Sequence, residues 1–249
     1  MKVSSWGMTD TGRSREQNED AFLINAPLGL FLVADGMGGH AGGEVASRLT
    51  VEVVERELLA ARERSPELFE GKAANGALRD LFEAAVKEAS REVFERSAAE
   101  PRLHGMGTTL TGLLVQGDTA WIAHVGDSRL YRIRDGAIEL LTEDHSLVQE
   151  QMKAGILTPE EARHSHLRNI ITRSVGFEPS VPVDLFEEEL REGDLFVLCS
   201  DGLSNLVEDE EILEFAKSEV ASALPESLIA LANARGGDDN ITAVVVAIG

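Results

Sequence analysis

Leu28 to Gly43 reads LGLFLVADGMGGHAGG. Its core, Leu30-Phe31-Leu32-Val33-Ala34, is a short apolar run rich in β-formers, the pattern of a strand buried on both faces. The run stops at Asp35-Gly36. Five glycines then fall in the eight residues from Gly36 to Gly43, and a helical pattern begins near Glu44. An ionised carboxylate at the end of a buried strand must be paired or hold a cation. The glycines let the backbone come close to something and leave its N–H and C=O groups bare. Asp35 is therefore a candidate metal ligand. Asp-Gly is also a common turn pair, so this stretch alone leaves a plain strand-to-helix turn open.

Working back from this run, Asp20 opens a second apolar run, Ala21-Phe22-Leu23-Ile24, after a dense polar loop from Thr9 to Glu19. Asn25 to Gly29 suits a hairpin turn between the two runs. A hairpin sets the entry of one strand beside the exit of the other, so Asp20 and Asp35 become neighbours. Two such carboxylates repel unless a cation or a proton lies between them. Lys2 to Met8 reads as an earlier strand.

Downstream, apolar residues at helical spacing mark two amphipathic helices, from about residue 44 to 64 and from about 73 to 97. From Thr108 the period changes to short β-rich runs, 108–115, 119–125, 129–133 and 138–141, parted by Gly and Asp and read as an antiparallel meander. Two short helices (144–155 and 158–164), strands at 181–186 and 194–200, helices at 208–217 and 225–234, and a closing buried strand at 241–248 complete the pattern. Strands and helices come in blocks, which favours α+β over a doubly wound parallel fold.

The chain has 249 residues and a net charge of -21. That charge argues against nucleic acid, whose binding is dominated by Lys and Arg on phosphates, and against anionic membranes. The acidic runs Glu143-Asp144, Glu187 to Glu189 and Glu208 to Glu211 read as solvated faces. No basic-then-apolar leader opens the chain and no apolar run reaches the roughly 18 residues that span a bilayer, so a soluble, cytoplasmic protein is expected, with a monomer as the default. Cys199, the only cysteine, lies in an apolar run with no basic neighbour and reads as an inert thiol.

The opening feature recurs. Leu195 to Cys199 runs into Ser200-Asp201-Gly202, Trp121 to Val125 into Gly126-Asp127-Ser128-Arg129, and Asp239 precedes the last strand. Asp20, Asp35, Asp127, Asp201 and Asp239 thus all stand at strand ends, as though gathered at one edge of a β core. An all-oxygen cluster suits the hard ions Mg2+ and Mn2+, and a pair of them activates water and clamps a phosphoryl group. Arg15, just before Asp20, has the planar fork that matches phosphate oxygens, although taken alone a surface salt bridge is the simpler explanation.

Six segments, taken in order, resemble the signature motifs of the PPM (PP2C-type) metal-dependent protein serine/threonine phosphatases. They are Arg15-x-x-Asn18-Glu19-Asp20, Asp35-Gly36-Met37-Gly38-Gly39, Gly107-Thr108-Thr109, Gly126-Asp127-Ser128-Arg129, Ser200-Asp201-Gly202 and Asp239-Asn240-Ile241-Thr242. Each is weak alone; their order over the full length is specific. The Asp35 to Gly43 form, with Met37 and His40, is similar to the bacterial branch.

The resemblance implies one phosphatase domain over residues 1–249, an α-β-β-α arrangement with a central antiparallel β-sandwich flanked by helices on both sides, and a flap near 144–176. It implies hydrolysis of phosphoserine and phosphothreonine by a water bridging two Mn2+ or Mg2+ ions, without a phospho-enzyme. Asp35 would bridge both ions, the Gly36 carbonyl would bind one, and Asp20 would act directly or through a water. Asp201 and Asp239 would hold the second ion, and Asp127 with Asp201 a third, weaker one. Arg15 would grip the substrate phosphate, while Glu19 and Asn240 would orient waters and ligands. Phosphoproteins and a partner Ser/Thr kinase are the implied partners. The eukaryotic branch carries a His, a candidate general acid, where this chain has Met37, which has no proton to give. His40 is read as a capping or packing residue, and no role in catalysis is given to His104, His124, His145, His164 or His166. Two alternatives are weighed: a catalytically degenerate binding or signalling module of the same fold, which would be expected to lose a metal Asp or the Arg, and a two-metal hydrolase of small phosphoesters.

Overall fold

The computed structural model describes residues 1–38, 42–69, 75–163 and 165–249, with only the backbone described at 75 and 163. Gly39, His40, the first residues of the second expected helix and His164 therefore lie outside the described residues.

Two antiparallel sheets face each other. One has the order β1 (Val3–Asp10), β11 (Ile241–Ile248), β10 (Leu195–Cys199), β7 (Arg129–Arg134), β8 (Ala137–Leu140). The other runs β2 (Asp20–Asn25), β3 (Leu30–Met37), β5 (Leu110–Gln116), β6 (Thr119–Val125), β9 (Asp184–Glu189), with the two-residue β4 (Gly107–Thr108) also on β3. Helices α1 (Gly42–Arg64) and α2 (Asn75–Ala99) cover the second sheet. Helices α5 (Asp201–Ser204), α6 (Asp209–Ser218) and α7 (Leu224–Ala234) cover the first, and α3 (Leu147–Lys153) and α4 (Pro159–Arg163) lie in the segment between β8 and β9.

The period of two along each strand sends alternate residues to opposite faces, and both faces of the central strands are apolar because each is covered by another layer. On β3, Leu30, Leu32 and Ala34 pack with Val53 and Leu58 of α1 and Leu78 and Phe82 of α2. Phe31 and Val33 point the other way, into a layer shared with Phe196, Leu198, Val244 and Val246 of the facing sheet. On β10 and β11, Val197, Cys199, Ala243 and Val245 turn outward onto Leu203, Ile212, Leu228 and Ala232. Each of the Val, Leu, Ile and Phe side chains among these, fully buried, contributes roughly 1.5–3 kcal/mol. The four layers are those expected from the resemblance. Among the described residues no helix is long and apolar enough to cross a membrane.

Two expectations are corrected. Residues 108–141 do not form one meander. β5–β6 and β7–β8 are hairpin pairs, but β6 pairs onward with β9 and β7 with β10, so the chain crosses from one sheet to the other at Gly126-Asp127-Ser128. A glycine at φ +109° permits that crossing; in sequence it reads like any Gly-Asp turn. The acidic runs are not simply solvated either. Asp144 holds Arg129 through two hydrogen bonds of 3.0 and 2.8 Å, Glu188 pairs with Arg132, and Glu208 and Glu211 form a capping box on α6.

Candidate metal centre

The strand register brings the aspartates together. Asp20 and Asp35 are directly opposed on β2 and β3, and by the alternation of Phe22, Phe31 and Val33 both side chains continue the face between the sheets. β10 ends at Cys199 opposite Ala243 of β11, which puts Asp201 and Asp239 at one end of that pair. β6 ends at Val125 opposite Leu110, and Thr111 opposes Val33, so Asp127 emerges at the end where Asp35 lies.

Each carboxylate is positioned by its surroundings. Ser200 and Thr242, from the facing sheet, both donate to Asp20 Oδ2, at 2.7 and 2.6 Å. Asp20 Oδ1, Asp127 Oδ1 and Asp201 Oδ1 are buried with no hydrogen-bond partner. Asp35 is held by its backbone: its N–H donates to Thr109 Oγ1 at 2.9 Å, and its carbonyl accepts from Thr109 N–H at 2.9 Å and from Thr108 Oγ1 at 2.8 Å. Thr109 Oγ1 also meets Ser128 Oγ at 2.7 Å, which ties the Asp127 loop to Asp35. Asn240 accepts from Glu19 N–H at 2.7 Å and donates to the carbonyls of Thr11 and Gln17, both at 2.9 Å, so it organises the polar loop that carries Arg15. The Glu19 carbonyl receives Gly36 N–H at 3.1 Å and Ser47 Oγ at 2.6 Å. A Cβ on Gly36 would stand 2.1 Å from the Gly43 carbonyl oxygen. Only glycine lets the β3 end run so close to α1.

The electrostatics follow from crowding. Burial raises the pKa of Asp20 to about 7. Burial, with the charges of Asp20, Asp201, Asp127 and Asp239 added, raises Asp35 well above the ordinary carboxylate range. Burial likewise raises Asp127 and Asp201, with Asp201 and Asp239 as the leading charged neighbours respectively. Such a cluster gives up its protons readily only to a cation. Among the described residues no three His, Cys, Asp or Glu side chains already enclose a single point at ligand spacing. The nearest cation is Arg15, whose NH2 reaches Asp239 Oδ2 at 2.7 Å.

Beside the cluster lies a cleft of about 820 Å3 between the segment after β8 and the α5–α6 region, with Asp127, Asp201, Asp144, Met152 and Glu208 among its walls. The unpaired, buried oxygens and the hard-oxygen donor set fit divalent cations.

Residues 11–235 match the family model described as Protein phosphatase 2C. The chain belongs to the protein phosphatase 2C family. This phosphatase 2C chain is 37% identical over 250 residues to the serine/threonine phosphatase Stp of Listeria monocytogenes, covering 96% of this chain and 93% of the relative. Its fold superposes on the crystal structure of the serine/threonine phosphatase Stp1 from Staphylococcus aureus with a TM-score of 0.90 at 33% identity, covering 100% of this chain and 96% of that one. It also superposes on the catalytic domain of the serine/threonine protein phosphatase PstP in complex with two manganese ions, with a TM-score of 0.86 at 36% identity and 99% of both chains covered.

Residue reading missed several groups that organise this phosphatase 2C site. Ser200 and Thr242 hold Asp20, and Thr108 and Thr109 hold Asp35. All four flank or belong to the quoted motifs, but the local sequence carries no sign that their hydroxyls point at a carboxylate in another strand.

Proposed function

We propose that this chain removes phosphate from phosphoserine and phosphothreonine in proteins, by attack of a water held between two Mn2+ or Mg2+ ions. The observation that carries the reading is the set of buried, unpartnered oxygens on Asp20, Asp127 and Asp201, gathered with Asp35 and Asp239 at one end of the sandwich. Two ions bound there would lower the pKa of the attacking water and neutralise the phosphoryl oxygens.

Asp35 would serve both ions and the Gly36 carbonyl one of them. Asp20, with Oδ2 already occupied by two hydroxyls, offers Oδ1, directly or through a water. Asp201 and Asp239 hold the second ion, and Asp127 with Asp201 a third. Glu19 and Asn240 keep the polar loop and the waters in place. Arg15, now paired with Asp239 at 2.7 Å, has the planar fork that would grip two phosphate oxygens if Asp239 served an ion instead. Met37 supplies no proton, so the leaving alkoxide draws its proton from another group or from water. Residues 1–249 act as one unit with 144–176 as its flap, a cytoplasmic monomer working on proteins that a Ser/Thr kinase has phosphorylated.

The test is phosphate release from a phosphothreonine peptide with and without Mn2+, against Asp35→Asn. Release that needs Mn2+ and vanishes in the variant is expected. Saturable Mn2+ binding without release would favour the degenerate binding module, and no saturable binding would overturn the enzyme reading.

A further inference from the structure

His145 is buried at the root of the flap, between two groups that use its two ring nitrogens differently. Gly126 N–H donates to Nδ1 at 2.9 Å, so Nδ1 carries no proton. The proton therefore sits on Nε2, which donates to Asp184 Oδ2 at 3.0 Å. Asp184 is itself fixed by Arg173, whose NH1 reaches Oδ1 at 2.5 Å. The arrangement is an Asp–His pair whose target is a backbone amide one residue before Asp127.

The backbone of His145 completes the link. Its N–H donates to the Gly126 carbonyl at 2.8 Å, so Gly126 and His145 grip each other at two points. The His145 carbonyl accepts from Thr172 N–H at 2.8 Å, and Leu147 N–H donates to Ile170 at 2.8 Å. Both ends of the flap therefore close on this residue. Next door, Asp144 binds Arg129, two residues after Asp127. The loop has little room to yield on its far side, because a Cβ on Gly126 would stand 2.5 Å from the Thr109 side chain. The ring of His124 backs that of His145, with centroids 4.8 Å apart. Burial holds the His145 imidazole below the ordinary histidine range and so neutral, as the Gly126 contact requires.

We propose that His145, oriented by Asp184, is a positioning residue that ties the flap to the loop carrying Asp127, so that the ion bound at Asp127 and the seating of the flap are coupled. This rests on the reading that Asp127 holds an ion. It adds that an outlying imidazole, which touches neither substrate nor ion, sets that ion's affinity. Partners that orient metal ligands typically govern affinity by 10–100-fold.

Two substitutions separate the ring's two contacts. His145→Asn keeps an amide oxygen at the place of Nδ1 and loses Asp184. His145→Gln keeps the reach to Asp184 and loses the acceptor for Gly126. Mn2+ binding to the whole chain, measured by calorimetry, is read beside turnover of a phosphothreonine peptide and of p-nitrophenyl phosphate, with thermal melting as the control for folding. His145→Gln is expected to weaken the lowest-affinity Mn2+ site about tenfold. It should also lower peptide turnover more than turnover of the small ester, which has no peptide chain to lay against the flap. His145→Asn should recover most of the Mn2+ affinity. Asp127→Asn should lose the same Mn2+ site. The proposal is overturned if both His145 variants melt lower yet keep the wild-type Mn2+ isotherm, or if Asn and Gln weaken it equally. If Asp127→Asn binds Mn2+ as wild type does, the assignment of Asp127 fails and the coupling with it. Loss of turnover with the isotherm intact in wild type would instead count against the phosphatase reading alone.

Discussion

Asp20 illustrates how a single carboxylate is prepared for a cation. Two hydroxyls saturate one of its oxygens while the other is left bare in a buried position. An unpartnered buried charge is costly, and an ion or a proton removes the cost. At this scale, Asp201→Asn should abolish Mn2+-dependent turnover, because Asp201 serves two of the proposed ion positions; activity at the wild-type level would contradict that assignment. Arg15→Ala should lower kcat/KM on a phosphopeptide by roughly 30-fold, the equivalent of about 2 kcal/mol for a charge-assisted contact. Because the Arg15–Asp239 pair is half exposed, its loss should leave the melting temperature of the metal-free protein nearly unchanged. Steady-state kinetics and a melting curve on the same variant check both halves.

Among the elements, the junctions matter more than the strands. Helix α5 starts at Asp201, and a Cβ on Gly202 would lie 2.0 Å from the Asn240 carbonyl oxygen. Backbone cannot rotate away as a side chain can, so Gly202→Ala must part α5 from the start of β11, and with it Asp201 from Asp239. A destabilisation of about 3 kcal/mol is expected, together with lost turnover. Denaturant unfolding would read the first and phosphate release the second; an unperturbed midpoint would show that the contact yields freely. Thr109 is the complementary case. It lies between β4 and β5, and its hydroxyl and amide link Asp35 to Ser128 across the sheet.

For the molecule as a whole, ion binding is folding free energy, since the aspartates are scattered from residue 20 to residue 239 and meet only in the native state. Mn2+ at a hundred times its Kd should add about 2.7 kcal/mol, or roughly 5–10 °C in Tm for a chain of this size. The pH dependence has a definite sign. The folded pKa of Asp20 is raised to about 7 from 3.8, so the metal-free folded chain holds protons that the unfolded chain has released. Its contribution is fully present below about pH 4 and is lost as pH rises through about 7. Mn2+ replaces the proton, so the Tm gain from Mn2+ should be larger at pH 8 than at pH 6. Differential scanning at both values checks this, and an equal gain would show that the carboxylates are already ionised at pH 6.

Much of this was legible in the sequence, because it rests on local periodicity and on chemistry carried by residue type. The apolar runs at 30–34, 195–199 and 241–248, the amphipathic helices and the Asp at each strand end are local patterns. A hairpin of fixed length sets Asp20 against Asp35 without reference to the rest of the chain. What only the tertiary structure decided is where non-local partners meet. The crossing at Gly126 looks like a hairpin turn until β9 and β10 compete for β6 and β7. The hydroxyls of Ser200 and Thr242 gain a purpose only when one sheet closes over the other. His145 and Asp144, which read in sequence as a histidine without a catalytic role and a solvated acid, hold the Asp127 loop. Sequence spacing carries the preferences of neighbours along the chain, whereas burial, register between sheets and the direction of a side chain are set by contacts between residues far apart in it.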